Sequence, residues 1–205
     1  PKVIFASAWI VVSTLPAMAG AVSETEQQFF TTGDFNGDGK MDAAIVDRYS
    51  GRVRIGYQLS PDFFDWANWK SGGMKGVTGV AVGRLLDSKR DALCLVAADA
   101  NAMTVVDAAN PNADADPIPV PNTALGPNTV AAIDIGGAGN TPLADLYMAN
   151  MYDPMQQTLF RSDGKTFSKI AEPGVSGTEA HAANTVLKTG GTEYVAVVSS
   201  GEKGN

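Results

Sequence analysis

Short apolar runs separated by clusters of Gly, Pro, Asn, Asp and Ser fill the chain from Phe29 onward, and no stretch sustains an apolar stripe at helical spacing. Runs of this length, rich in Val, Ile, Thr and aromatic residues, read as β-strands. The first group passes through residues 29–32, 43–46, 52–57 and 66–70, and the second through 77–82, 92–96, 103–106 and 118–120. A third group takes in 129–133, a run after Asp145, 158–160 and 167–170, and a fourth supplies 183–187 and 194–199. Residues 20–28 are mostly polar, lack alternation and predict no strand.

The groups repeat. An acidic residue stands immediately ahead of a strand-like run at Asp42, Asp91, Asp145 and Glu193, a spacing of about 50 residues. Four short strands per repeat of that length predict an all-β fold, a β-propeller with four-stranded blades at 29–73, 76–124 and 128–174 and an incomplete blade at 179–205. A β-sandwich also has many short strands but does not need the period. Pro119 and Pro121 suit the outermost strand of their blade, since proline is tolerated at a sheet edge.

Candidate chemistry concentrates between the first two strands. Asp34, Asn36, Asp38 and Asp42 fall at positions 1, 3, 5 and 9 of a tight loop, and the carbonyl of Lys40 falls at position 7. Calcium takes six to eight oxygen ligands, and this spacing can converge hard oxygens on one ion. Gly39 at position 6 permits the sharp turn, and Gly37 loosens it further. An EF-hand opens with the same spacing but needs a bidentate Glu at position 12, where this chain has Ile45, and its loop joins helices instead of strands. Asp, Asn and Gly also build ion-free turns. Crowded carboxylates repel one another without a cation, so the reading taken is a structural calcium site of Asp34, Asn36, Asp38, Lys40 and Asp42.

Motif and flanking strands together resemble the FG-GAP and VCBS repeats, among them the integrin alpha-subunit propellers. In that family an Asp-x-Asn-x-Asp-Gly-x-x-Asp loop joins the first two strands of a blade, and residues 34–42 match it. The resemblance implies a calcium-bearing propeller of about four to eight blades, in which further blades of the same chain partner those seen here. The match is specific in the first repeat only. In the second, residues 83–91 are one residue shorter and carry Arg84, Leu85 and Leu86 where the first ligands would stand, so no calcium is expected. The third, 134–145, is three residues longer and keeps Asp134, Asn140 and Asp145, which leaves binding open. The fourth has Lys188 and no carboxylate before Glu193 and is expected to be empty.

Residues 1–19 carry Lys2, an apolar run over 3–12, and Ala17-Met18-Ala19, the pattern of a secretory signal peptide cut before Gly20. A mature domain of 20–205 in a secreted or extracytoplasmic setting follows. No later run is long and apolar enough for a membrane span. Asp and Glu number 22 against 15 Lys and Arg, a net charge of −7 that argues against a nucleic-acid partner. The single cysteine, Cys94, lies in an apolar run, where it reads as a small buried hydrophobe and excludes an internal disulfide.

No catalytic residue is assigned. His181 is the only histidine and lies among small residues, Cys94 offers it no partner, and no Gly-x-Ser-x-Gly elbow occurs. The run Phe63-Phe64-Asp65-Trp66-Ala67-Asn68-Trp69 reads as inter-blade core in preference to a sugar platform. Asp114 and Asp116 read as a solvated loop. The expected function is a calcium-stabilised binding or adhesion module for an extracellular glycan or surface protein. The alternative is the propeller domain of a secreted polysaccharide lyase or glycoside hydrolase, which needs only two well-placed carboxylates.

Overall fold

A computed structural model describes residues 22–100, 102–110, 114–115, 117–119, 129–134, 142–149, 157–171, 180–189 and 192–200. Residues 1–19, on which the expected signal peptide falls, and Pro121 lie outside them. The chain is all-β, with one 3-10 turn at Ala98–Ala100 and no α-helix among the described residues. No helix among them is long and apolar enough to cross a membrane.

Each repeat folds as an antiparallel meander. Strands β1 (Val22–Glu24), β2 (Gln28–Gly33), β3 (Asp42–Asp47), β4 (Arg52–Ser60) and β5 (Phe63–Trp66) pair in chain order, and β6 (Lys70–Ser71) returns to pair with β4. The second sheet runs β7 (Gly79–Asp87), β8 (Arg90–Ala97), β9 (Ala102–Val106) and β10 (Pro117–Pro119). The third runs β11 (Thr129–Ile133), β12 (Asp145–Ala149), β13 (Gln157–Ser162) and β14 (Phe167–Ala171), and a hairpin of β15 (Ala180–Thr189) and β16 (Thr192–Ser200) follows. Pro119 pairs with Ala102 on β10, an edge strand, as its missing N–H requires.

The sheets stack in chain order through β2, β7, β11 and β15. β7 lies against β2 on one side and β11 on the other, and β11 lies against β15. Phe29, Val46 and Val53 of the first sheet pack on Val80, Val82, Leu93 and Leu95 of the second. The opposite face of the second sheet, through Ala81, Cys94 and Val96, packs on Val130, Ala132, Leu146 and Met148. A sheet covered on both faces needs apolar residues at successive positions, and β8 is buried almost throughout. By contrast β2 alternates, with Phe29 and Thr31 buried and Gln28 and Phe30 exposed. Since the second sheet has a neighbour on each side, a two-layer sandwich does not describe the stack.

Close approach of β2, β7 and β11 depends on glycine at matching places. A Cβ on Gly33 would lie 2.8 Å from Val82 Cγ1, and one on Gly83 would lie 2.8 Å from the Cβ of Ala132. Cys94 is sealed in this core, and burial raises its thiol pKa far above the ordinary value, so it acts as the small hydrophobe expected of it.

Two differences from the sequence pattern stand out. β1 forms from the polar segment that predicted no strand: Val22, Ser23 and Glu24 pair with Thr31, Phe30 and Phe29, all three exposed. The pairing is set by a turn in which Thr25 Oγ1 accepts the Gln28 N–H at 2.9 Å and by the Arg48–Glu24 ion pair at 2.6 Å, neither of which hydrophobic alternation can register. The expected strand at 66–70 begins earlier, as β5, and the chain leaves the ladder at 67–69 before rejoining as β6. Finally, Trp66 and Trp69 are partly exposed and do not enter the core between the described sheets, so the inter-blade reading of this run is not tested by those sheets.

The connection from the first sheet to the second is laid across the β3–β4 turn. Gly72 N–H donates to Gly51 O at 2.9 Å, and Val77 N–H donates to Arg48 O at 2.7 Å. Gly51 has φ +67, and a Cβ there would fall 1.6 Å from Met74 O. Gly76 has φ +63 but open space around it. Gly51→Ala is therefore expected to cost about 3 kcal/mol or more, and Gly76→Ala only about 1 kcal/mol from its backbone conformation. Urea unfolding of the two variants checks this; equal midpoints would contradict the close crossing.

Candidate functional site: the 34–42 loop

The loop is framed by Gly33 and Asp42, which pair as the last rung of the β2–β3 ladder. Phe35 anchors it from inside. Its ring is fully buried with the first core, so the residues flanking it are fixed relative to the sheet. Gly37 and Gly39 take φ values of +78 and +80, which lets the chain reverse twice within a few residues.

The predicted ligands fold inward onto the loop's own backbone. Asp34 Oδ1 accepts the Gly37 N–H at 2.8 Å and Oδ2 accepts the Gly39 N–H at 3.0 Å. Asn36 Oδ1 accepts from Asp38 N at 2.9 Å, and Asp38 Oδ1 accepts from Lys40 N at 2.9 Å. The Lys40 N–H, with the ammonium 3.3 Å from the carboxylate, holds the Asp38 pKa below its ordinary value. Each side-chain oxygen used this way retains a second lone pair.

Asp42 has a different environment. It is fully buried, its Oδ2 accepting the Phe35 N–H at 3.0 Å and its Oδ1 the Gln58 N–H at 2.8 Å. Burial raises its pKa, and the two N–H bonds only partly offset that. Asp42 thus ties the loop base to β4.

A residue from the next sheet completes the arrangement. Asp34 N–H donates to Asp91 Oδ2 at 2.8 Å, while Asp91 N–H donates to Asp34 O at 2.7 Å. Asp91 is 5% exposed. Burial raises its pKa; the Asp34 N–H and Arg84 oppose the shift, and the negative charges of Asp34 and Asp42 add to it. Sequence reasoning marked Asp91 as a repeat position but not as a partner of the loop, because nothing local points to a contact 57 residues away.

The chain was compared with family models, curated proteins and solved structures. It matches none of them.

The fit to calcium rests on donor chemistry. Asp34, Asn36, Asp38 and the Lys40 carbonyl offer hard oxygens on one loop, with the buried Asp42 carboxylate at its base, and this donor set suits a hard cation. No three His, Cys, Asp or Glu side chains among the described residues cluster closely enough to hold a metal ion. The loop therefore has the ligand types and backbone turns for calcium, with its carboxylates not drawn together.

The other repeats differ at this place. In the second, β7 and β8 meet in a tight hairpin, with Asp87 opposite Arg90. Arg90 reaches Asp87 at 3.7 Å and Asp107 at 3.0 Å, so a guanidinium occupies the region between acidic groups. In the third, Asp145 is buried and accepts from Arg161 Nε at 3.4 Å, while residues 135–141, including Asn140, lie outside the described part. In the fourth, Lys188 pairs with Glu193 in the β15–β16 ladder, which also carries His181 opposite Ser199. Asp116 lies outside the described residues, and Asp114 Oδ1 accepts the Ser71 N–H at 3.2 Å.

Asp42→Ala removes the acceptor of two N–H groups at a buried position. It is expected to cost about 2–4 kcal/mol, in EGTA as well as in calcium. Denaturant unfolding in EGTA measures it, and a variant as stable as the parent there would refute the structural role of Asp42.

Proposed function

We propose that the stacked sheets are blades of a calcium-stabilised β-propeller of the FG-GAP/VCBS kind, which acts outside the cytoplasm as a binding or adhesion module for a glycan or surface protein. The observation that carries the reading is the recurrence of one unit. Three antiparallel meanders follow one another, each with a buried aspartate at or next to the start of one strand: Asp42 of β3, Asp91 of β8 and Asp145 of β12. Strands β2, β7, β11 and β15 are neighbours in chain order, which is the arrangement expected of blades around a common axis. The Ala17-Met18-Ala19 pattern supports export.

In this reading Asp34, Asn36, Asp38, Lys40 through its carbonyl, and Asp42 hold the ion. Bound calcium would supply the positive charge needed for these carboxylates, which do not cluster among the described residues, to converge. The loop's own residues do the rest. Phe35 keeps it seated in the core, Gly37 and Gly39 set its turns, and Asp42 and Asp91 tie it to β4 and to the second sheet. A rigid loop of this kind at one end of a sheet presents neighbouring residues to a partner with a smaller loss of conformational entropy on binding.

Calcium is expected to raise the melting temperature relative to EGTA, by the equivalent of about 2.7 kcal/mol when free calcium is a hundredfold above its dissociation constant. Asp38 is the residue to change, since its carboxylate is bonded only within the exposed loop. Asp38→Ala is expected to melt like the parent in EGTA and to lose the response to calcium. Identical melting of the parent in calcium and in EGTA would overturn the calcium assignment.

A further inference from the structure

The 34–42 loop carries Asn36-Gly37, the one place in the chain where glycine follows asparagine. Both residues are exposed, as are Asp38, Gly39 and Lys40. The loop stands at the end of the first sheet, not on its open face, and leans toward the second. Consecutive repeats meet here through Gly37, where a Cβ would lie 3.4 Å from Lys89 O of the next repeat. With Asp42 and Asp91 at equivalent places, the counterpart of Lys89 in the first repeat is Lys40. A blade on the other side of the first sheet would therefore bear on Lys40 and leave Asn36 in water.

Asparagine before glycine is the pairing most open to attack of the backbone on the side chain, because glycine has no Cβ to shield its nitrogen. Two hydrogen bonds of the loop serve that step. The Gly37 N–H, which must lose its proton, donates to Asp34 Oδ1 at 2.8 Å, so an acceptor for the proton is in contact with it. The Asp38 N–H donates to Asn36 Oδ1 at 2.9 Å, the oxygen on which negative charge gathers when the amide carbon is attacked. Asn68 and Asn110 are exposed as well. One is followed by the bulky Trp69 and the other by Pro111, which has no N–H to give up.

We propose that Asn36 is a site of spontaneous deamidation and isoaspartate formation, suppressed while the loop holds its ion. The Gly37 nitrogen passes its proton to Asp34 and attacks Asn36 Cγ. The N–Cγ bond forms, the Cγ–Nδ2 bond breaks, and the departing amide nitrogen takes up the proton and leaves as ammonia. Water then opens the cyclic imide and returns a hydrogen to the Gly37 nitrogen. Opening at Cγ gives aspartate. Opening at the backbone carbonyl of residue 36 gives isoaspartate, in which the chain runs through the former side chain.

The two products differ in what they do to the loop. Aspartate keeps a side-chain oxygen at position 3 and adds a charge that a hard cation favours. Isoaspartate lengthens the backbone ahead of Gly37, which displaces Asp38 relative to Asp34 and removes the bond from the Asp38 N–H to the side chain of residue 36. Chains carrying it therefore lose the response to calcium. With an ion held by Asp34 and Asn36, both groups that the step uses are occupied. The Asp34 oxygens are then poor acceptors of the proton, and the Asn36 amide is not free to turn its carbon toward Gly37. Loss of the ion thus opens the loop to a change that its return does not reverse. The modification stands on the loop alone, whereas its suppression rests on the calcium reading above.

The full chain is held at neutral pH, well below its melting temperature, in calcium and in EGTA, and followed by peptide mass spectrometry and by enzymatic methyl labelling of isoaspartate. In EGTA, Asn36 is expected to deamidate with isoaspartate among the products while Asn68 stays intact. With free calcium a hundredfold above its dissociation constant, about one loop in a hundred is empty, so the rate is expected to fall about a hundredfold. Asp38→Ala is expected to deamidate at one rate with or without calcium. Samples aged in EGTA are expected to lose the rise in melting temperature on addition of calcium, in proportion to their isoaspartate content. An Asn36 as unreactive as Asn68 in EGTA overturns the proposal and leaves the calcium reading standing. So does one rate in calcium and EGTA when calcium still raises the melting temperature. One rate together with no effect of calcium on melting removes the calcium reading, and the suppression falls with it.

Discussion

A buried carboxylate must find N–H donors or lose its charge, and this requirement ties the first two sheets together. Asp91 is almost sealed from water and takes its donor, the Asp34 N–H, from the other sheet. The return bond from Asp91 N–H to Asp34 O makes the contact reciprocal. Two backbone groups of the loop that no strand ladder could satisfy are thereby satisfied across the interface. Neither sheet can shift against the other without leaving a buried polar group unpaired, at a cost of about 1–3 kcal/mol each. The same end of the next interface is closed by backbone and hydroxyl groups: Ala144 N–H donates to Arg84 O, and Ser162 donates to Leu85 O.

That polar frame decides what the apolar residues can do. Packing in both directions from the second sheet is non-directional and could accept several offsets, since Val, Leu and Ala faces slide over one another at little cost. The polar bonds at one end and the glycine contacts of β2 with β7 and β7 with β11 select one offset. Gly33 and Gly83 stand at equivalent places in their repeats, so the same close approach is used twice.

Much of this was legible in the sequence, for a physical reason. Strands buried on one face alternate and strands buried on both faces are apolar throughout, so β2, β8, β11 and β12 could be placed from hydrophobicity. The repeat of Asp42, Asp91 and Asp145 was visible because burial of a carboxylate at a fixed turn needs that residue type each time. β1 was not legible, since its three residues are exposed and its pairing rests on backbone bonds that carry no side-chain signature. Nor was the sidedness of the aromatic run. Trp66 reads as core by composition, yet its face is set by whether β5 pairs with β4 at Gly56 or one residue away, and a slip by one residue reverses the sides. The ligand types of the 34–42 loop were read from spacing alone, whereas the involvement of Asp91 depends on tertiary contact.

The second repeat shows what the loop of the first has to solve. Both must hold acidic groups near the end of a β-hairpin next to a buried aspartate. In the second, Arg90 brings a covalently attached cation, bonded to Asp107 at 3.0 Å and near Asp87, and a two-residue turn suffices. In the first, among the described residues, the cation against the carboxylates of the loop is Lys40, an exposed ammonium paired with Asp38 and screened by water. Asp42, sealed from that screening, is left with N–H dipoles and the added repulsion of Asp38. The longer loop of the first repeat is instead rich in oxygen donors, held among the described residues by its own backbone N–H groups. The two repeats thus meet the same need at equivalent places in different ways, one with an arginine across its hairpin and one with a loop whose acidic side chains are bonded to backbone N–H groups.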